Sequence, residues 1–131
     1  MEVHMPTQND FPIIFEQLKN ILKPYQSSLT LTADTSKGYS LDGPYSEKWK
    51  KVIFFGATQI QKNYVSFYLM PVYMYPELLK DISPALKKRM QGKSCFNFKK
   101  AEPELFEELA TLTRLSIEKF KAEKFKKENG S

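Results

Sequence analysis

One cysteine and one histidine stand among the 131 residues of this chain, and that scarcity removes whole classes of chemistry. A single cysteine forms no intramolecular disulfide, so stability has to come from apolar burial, which suits a reducing compartment. Structural zinc sites draw four ligands from Cys and His, and this chain offers two such residues in total. A Ser–His hydrolase needs a histidine set against its nucleophile; His4 lies in the polar stretch MEVHMPTQND and gives Ser66, Ser83 and Ser94 no partner. Glycine is sparse at five residues, and GKS at 92–94 has no upstream glycine with which to cradle a phosphate. No apolar run approaches the ~20 residues of a membrane span, and no basic segment leading into an apolar one marks a secretory leader. A cytoplasmic protein with no membrane partner is the economical expectation.

What is present suits one compact domain. The length matches a single core, and aromatic residues make up 14% of the chain, with ten Phe and seven Tyr to fill it. Twenty Lys and Arg against fifteen Asp and Glu give a net charge of +5. That excess can favour anionic partners or simply keep the chain soluble. It gathers in EKWKK at 47–51 and in EKFKAEKFKKENGS at the end rather than in one block, so charge alone argues against nucleic-acid binding.

The residues DFPIIFEQLKNILKPY at 10–25 repeat apolar side chains at Phe11, Ile14, Phe15, Leu18, Ile21, Leu22 and Tyr25. This spacing predicts an amphipathic helix, with Asp10 as its cap, Pro12 in its first turn and Pro24 at its end. SSLTLTAD at 27–34 alternates Leu29, Leu31 and Ala33 with polar partners, as a half-buried strand does. Turn chemistry at 36–38 and 42–44 brackets a short strand at 39–41. KVIFFGATQI at 51–60 and YVSFYLMPVY at 64–73, parted by QKN, read as an antiparallel hairpin, with Gly56 marking a bulge or a close backbone approach. Two short helical pieces follow at 76–79 and 84–90, the second capped by Ser83 and ended by Gly92. A strand at 94–98 leads to a helix from Ala101 whose stripe holds Leu105, Leu109, Leu112 and Phe120, with a bend near Ser116.

Consecutive strands joined by tight turns require antiparallel pairing. The expected fold is therefore α+β: an antiparallel sheet of about four to five strands, one face covered by the N- and C-terminal helices. The expected domain spans 10–125, with a flexible N-terminus at 1–9 and a frayed tail at 126–131.

Cys95 sits in GKSCFNFK, one and three positions before Phe96 and Phe98, so it lies on the face opposite to theirs in a strand. With no base nearby it reads as a small side chain packed beneath a helix, away from solvent. Glu104, Glu107 and Glu108, and Glu77 with Asp81, share helix faces and could converge on a hard cation; a solvated face is the commoner use of such a set. Lys48–Trp49–Lys50–Lys51 and Lys62–Asn63–Tyr64 mix aromatic and basic residues. They could stack on a planar ligand, although a tryptophan buried in the core is the simpler reading.

KNYVSFYLMPVY at 62–73, PELL at 76–79, SPALKKRMQGKSCFNFK at 83–99 and ELFEELATLTRLSIEKF at 104–120 resemble the YdhG-like family, a domain of unknown function, and DT with GY at 34–39 fits its earlier part. The resemblance implies an α+β domain of antiparallel strands flanked by helices. Some relatives are described as frataxin-like iron chaperones for cluster or haem assembly, a role that relies on an acidic ridge along the first helix and the edge strand. The first helix here offers only Asp10 and Glu16 against Lys19 and Lys23, so iron binding does not transfer residue by residue. In its favour, Asp34, Asp42 and Glu47 could approach one another around the strand loops. The expectation is a non-enzymatic binding module without a cofactor, iron remaining the alternative. Its ligand-binding residues would be Asp34, Lys62, Asn63, Tyr64, Lys93 and Asn97, receiving a small anionic ligand or a protein partner.

Overall fold

The computed structural model describes residues 10–128, with side chains as far as Lys121. The flexible N-terminus expected at 1–9 lies outside the described residues, as do 129–131 of the expected tail. Helix α1 spans Phe11–Leu22, and a 3-10 turn over Lys23–Ser28 follows it. Strands β1 (Thr30–Asp34), β2 (Gly38–Ser46), β3 (Lys51–Ile60) and β4 (Val65–Leu69) come next. Helix α2 (Met70–Met74), a 3-10 turn at Pro76–Leu79 and helix α3 (Pro84–Lys87) lead to β5 (Met90–Gln91), β6 (Cys95–Phe98) and the long helix α4 (Pro103–Glu128).

Among the described residues the strands form one six-stranded sheet ordered β1-β2-β3-β4-β6-β5, with antiparallel pairing at every step. The α+β class and the covering terminal helices are as the sequence indicates. The strand count rises through β5, whose two residues are too short for periodicity to reveal.

Phe67, Leu69, Phe96 and Phe98 point to one face and join Leu18 of α1, Val72 of α2, Leu86 of α3 and Leu109 of α4 in a single core. All four helices thus share one side of the sheet. Alternation sends Ser66, Tyr68, Cys95 and Asn97 to the other side, which carries no helix among the described residues.

Several boundaries differ from the sequence reading for local reasons. The strand expected over 64–73 stops at Leu69, because Pro71 cannot donate to a ladder and instead enters the first turn of α2. The turn expected at 42–44 is a bulge inside β2, where the register shifts between Asp42 and Tyr45. Strand β1 is mostly exposed rather than half-buried, as befits an edge. Asp10 precedes α1 in helical dihedrals and makes no side-chain cap bond. Ser83 does cap α3, accepting from Leu86 N at 3.1 Å. Gly92 has the expected positive φ of 79°, but it turns the chain between β5 and β6 instead of ending a helix. Helix α4 runs unbroken past Ser116; Thr113 and Ser116 return their buried hydroxyls to the carbonyls of Leu109 and Leu112, each at 2.8 Å.

Candidate functional site

The helix-free face holds a polar row built across three strands. Pairing of β4 with β6 sets Ser66 opposite Asn97 and Tyr68 opposite Cys95, while β5 sets Gln91 opposite Cys95. Ser66 Oγ donates to Asn97 Oδ1 at 2.8 Å, and Asn97 Nδ2 donates to Gln91 Oε1 at 2.5 Å. The Cys95 thiol also points at Asn97 Oδ1, 3.4 Å away, and Gln61 Nε2 donates to the Tyr68 hydroxyl at 3.4 Å. Each side chain is held by the next, so the row is fixed before anything binds.

Cys95 is half-buried on this open face, not under a helix as the sequence reading supposed. The same alternation that buries Phe96 and Phe98 carries it to the uncovered side. Loss of solvent pushes its thiol pKa up, and the nearby Ser66 and Tyr68 hydroxyls only partly offset this. That is the reverse of nucleophile activation.

The six expected ligand residues do not form one site. Asn97 lies at the centre of the polar row. Lys62, Asn63 and Tyr64 form the β3–β4 loop, closed by the Gln61 N–H donating to Tyr64 O at 2.8 Å. Ile60 N donates to Lys37 O at 2.9 Å, so the β1–β2 turn lies beside that loop. Val65 pairs with Phe98, which brings Lys99 and Lys100 to the same end. Four lysines (37, 62, 99 and 100) therefore gather at one end of the sheet.

Asp34 and Lys93 lie elsewhere. Asp34 turns to the helix side, where its carboxylate meets Lys19 Nζ at 3.1 Å. That bond raises the Lys19 pKa, and the same ammonium stands 5.4 Å from the centroid of the Tyr39 ring. Lys93 sits in the β5–β6 turn at the opposite end of the sheet, 5.8 Å from the centroid of Tyr73.

One carboxylate of each expected set takes a structural role, while Glu104, Glu107 and Asp81 are exposed. Glu108 grips the cap of α3, accepting from Ser83 N at 2.6 Å and from Ser83 Oγ at 2.7 Å. Glu77 meets Lys119 at 3.4 Å. Asp34, Asp42 and Glu47 fall on a strand end, mid-strand and a distant turn. Among the described residues, no three of His, Cys, Asp and Glu come together as a metal set would. Trp49, expected in the core, is half-exposed at the tip of the β2–β3 hairpin.

Sequence reasoning missed Ser66, Tyr68, Gln61 and Gln91. Period two in YVSFYL already separated Ser66 and Tyr68 from Val65, Phe67 and Leu69. The register that sets them beside Asn97 and Cys95 was not in that signal. Comparison with protein-family models, with curated proteins and with solved structures returned no match.

Proposed function

We infer that the chain is a non-enzymatic, cytoplasmic binding module of the YdhG-like kind, whose helix-free sheet face receives a small anionic ligand or an anionic group of a protein partner. One observation carries this reading. A pre-set polar row, Gln91–Asn97–Ser66, with Cys95, Tyr68 and Gln61 beside it, runs toward an end of the sheet where Lys37, Lys62, Lys99 and Lys100 gather. Lysines supply attraction to an anion, and the amides of Gln91 and Asn97 with the Tyr68 hydroxyl supply orientation, while the buried Ser66 hydroxyl holds Asn97 in place.

Two features support binding without turnover. The Cys95 pKa moves upward, and its hydrogen-bonding neighbours are hydroxyls and an amide, none of which would take its proton at neutral pH. The carboxylates of Glu108, Asp34 and Glu102 are engaged in bonds that hold the fold.

A two-dimensional NMR titration with pyrophosphate as the probe tests the reading. Amides in 61–66 and 94–100 should shift together and saturate in the low millimolar range, and Asn97→Ala should weaken the response severalfold. Shifts confined to other surfaces, or none at all, would remove the reading.

A further inference from the structure

The β2–β3 hairpin has a feature unrelated to the polar row. Strand β1 pairs with β2 no further than Thr30–Asp42, and β4 pairs with β3 no further than Gly56–Leu69. Beyond those pairs, 43–46 and 51–55 continue as a two-stranded ribbon, reaching roughly 15 Å past their neighbours at the usual rise per residue. Its helix side is packed: Phe120 of α4 lies against Phe55, with ring centroids 5.3 Å apart.

The other side and the tip are bare. Tyr45 and Val52 face each other across the ribbon and are 54% and 50% exposed, while Trp49 in the turn is 52% exposed. Lys48, Lys50 and Lys51 surround them, against Glu47, which pairs with Lys50 at 3.7 Å. Three of the six large apolar side chains exposed among the described residues therefore share one protruding, net-positive tip.

We propose that this tip docks peripherally on an anionic lipid surface, Trp49, Tyr45 and Val52 entering the headgroup boundary while Lys48, Lys50 and Lys51 meet lipid phosphates and carboxylates. A convex tip leaves no cleft for a small ligand, whereas a bilayer boundary yields to it. Tryptophan and tyrosine favour that boundary because one part of each ring system is apolar and another part hydrogen-bonds. Val52 gains from lipid but has little to offer a nucleotide.

Nucleic acid is the competing anion, and two details count against it. Lys48 Nζ stands 5.5 Å from the centroid of Trp49, occupying a ring face that a base would need. Both arginines of the chain, the side chains best suited to forked base contacts, are tied elsewhere, Arg89 to Glu102 and Arg114 to Glu118. No helix among the described residues is long and apolar enough to cross a membrane, so the contact is superficial. The sequence reading gave membranes no part because it considered spans alone.

Trp49 is the only tryptophan, so its emission reports on this tip directly. The full chain is mixed with phosphatidylcholine vesicles, with vesicles containing one-quarter phosphatidylserine, and with a single-stranded oligonucleotide. The serine-lipid vesicles should shift the emission to the blue and carry the protein down on sedimentation, an effect weakened by added salt. Pure phosphatidylcholine should do neither. Near an anionic surface each lysine is worth about a fivefold change in partition, so K48Q/K50Q/K51Q should bind about a hundredfold more weakly. V52S should also weaken sedimentation while melting at the parent temperature, since all four positions are on the surface. No shift with serine-lipid vesicles, or unchanged binding by the triple variant, would overturn the proposal. A blue shift with the oligonucleotide alone would reassign the tip to nucleic acid.

Discussion

Gly43 offers a quantitative check on how the ribbon is held to the body of the protein. A Cβ at this position would lie 2.7 Å from Phe120 Cε2, 3.0 Å from Ile53 O and 3.2 Å from Phe120 Cδ2. Gly43 is outside the left-handed region of φ, so the cost of Gly43→Ala is steric rather than conformational. Neither neighbour yields easily: one is backbone, and the ring is wedged edge-on against Phe55 at 69°. Overpacking of this kind costs roughly 2 kcal/mol, which for a chain of this length lowers the melting temperature by roughly 6–10 °C. Phe120→Leu alone should cost roughly 1–2 kcal/mol through lost ring contact. Because leucine vacates the space the new methyl needs, the double variant should be less destabilised than the sum of the singles by about 1 kcal/mol or more. Urea and thermal unfolding of the four proteins give the cycle. A Gly43→Ala protein within about 0.5 kcal/mol of the parent, or additive singles, would show that α4 does not press on the ribbon at this point.

Glu108→Ala should lose roughly 2–4 kcal/mol of stability by urea unfolding, because it strips two short bonds from the cap of α3. The exposed neighbour Glu107→Ala should stay within about 0.5 kcal/mol. Lys62→Ala with Asn63→Ala should leave the melting temperature nearly unchanged while weakening the pyrophosphate response; a large thermal loss would make these residues structural. Anaerobic titration with ferrous ion, followed by calorimetry, should show no binding below the high micromolar range, and tighter binding would revive iron delivery. Iodoacetamide should alkylate folded Cys95 at a rate still rising with pH above the ordinary thiol pKa of 9.0, since desolvation raises the folded value. A plateau near neutral pH would mean an activated thiolate.

The layer arrangement was legible because both terminal helices carry apolar stripes and β3 and β4 are rich in aromatic and β-branched residues. Phe11, Ile14, Phe15, Leu18 and Leu22 of the first stripe are all buried. Cys95 shows where such reasoning stops. Period two put it opposite Phe96 and Phe98, but only the tertiary structure says which side of the sheet the helices occupy. Trp49 failed in another way. Tryptophan is usually buried, yet here it sits in a turn whose ribbon outruns both neighbouring strands, and strand lengths on either side are not encoded locally. The polar row was partly visible as Asn97. Its partners Ser66 and Gln91 lie 31 and 6 positions away, distances that only register can bridge. Lys93 and Asp34 looked similar to Lys62 in sequence because polarity beside a strand carries no information about which end of a sheet it reaches.

The central claim, that the uncovered sheet face is the receiving surface, is tested most directly through the lone thiol. Attaching a small methanethiosulfonate reagent to Cys95 in the folded protein should leave the melting temperature within a few degrees of the parent, because the helices lie on the far side. The adduct should no longer respond to pyrophosphate. Modification that proceeds only on unfolding, or an adduct that binds pyrophosphate as the parent does, would contradict the account.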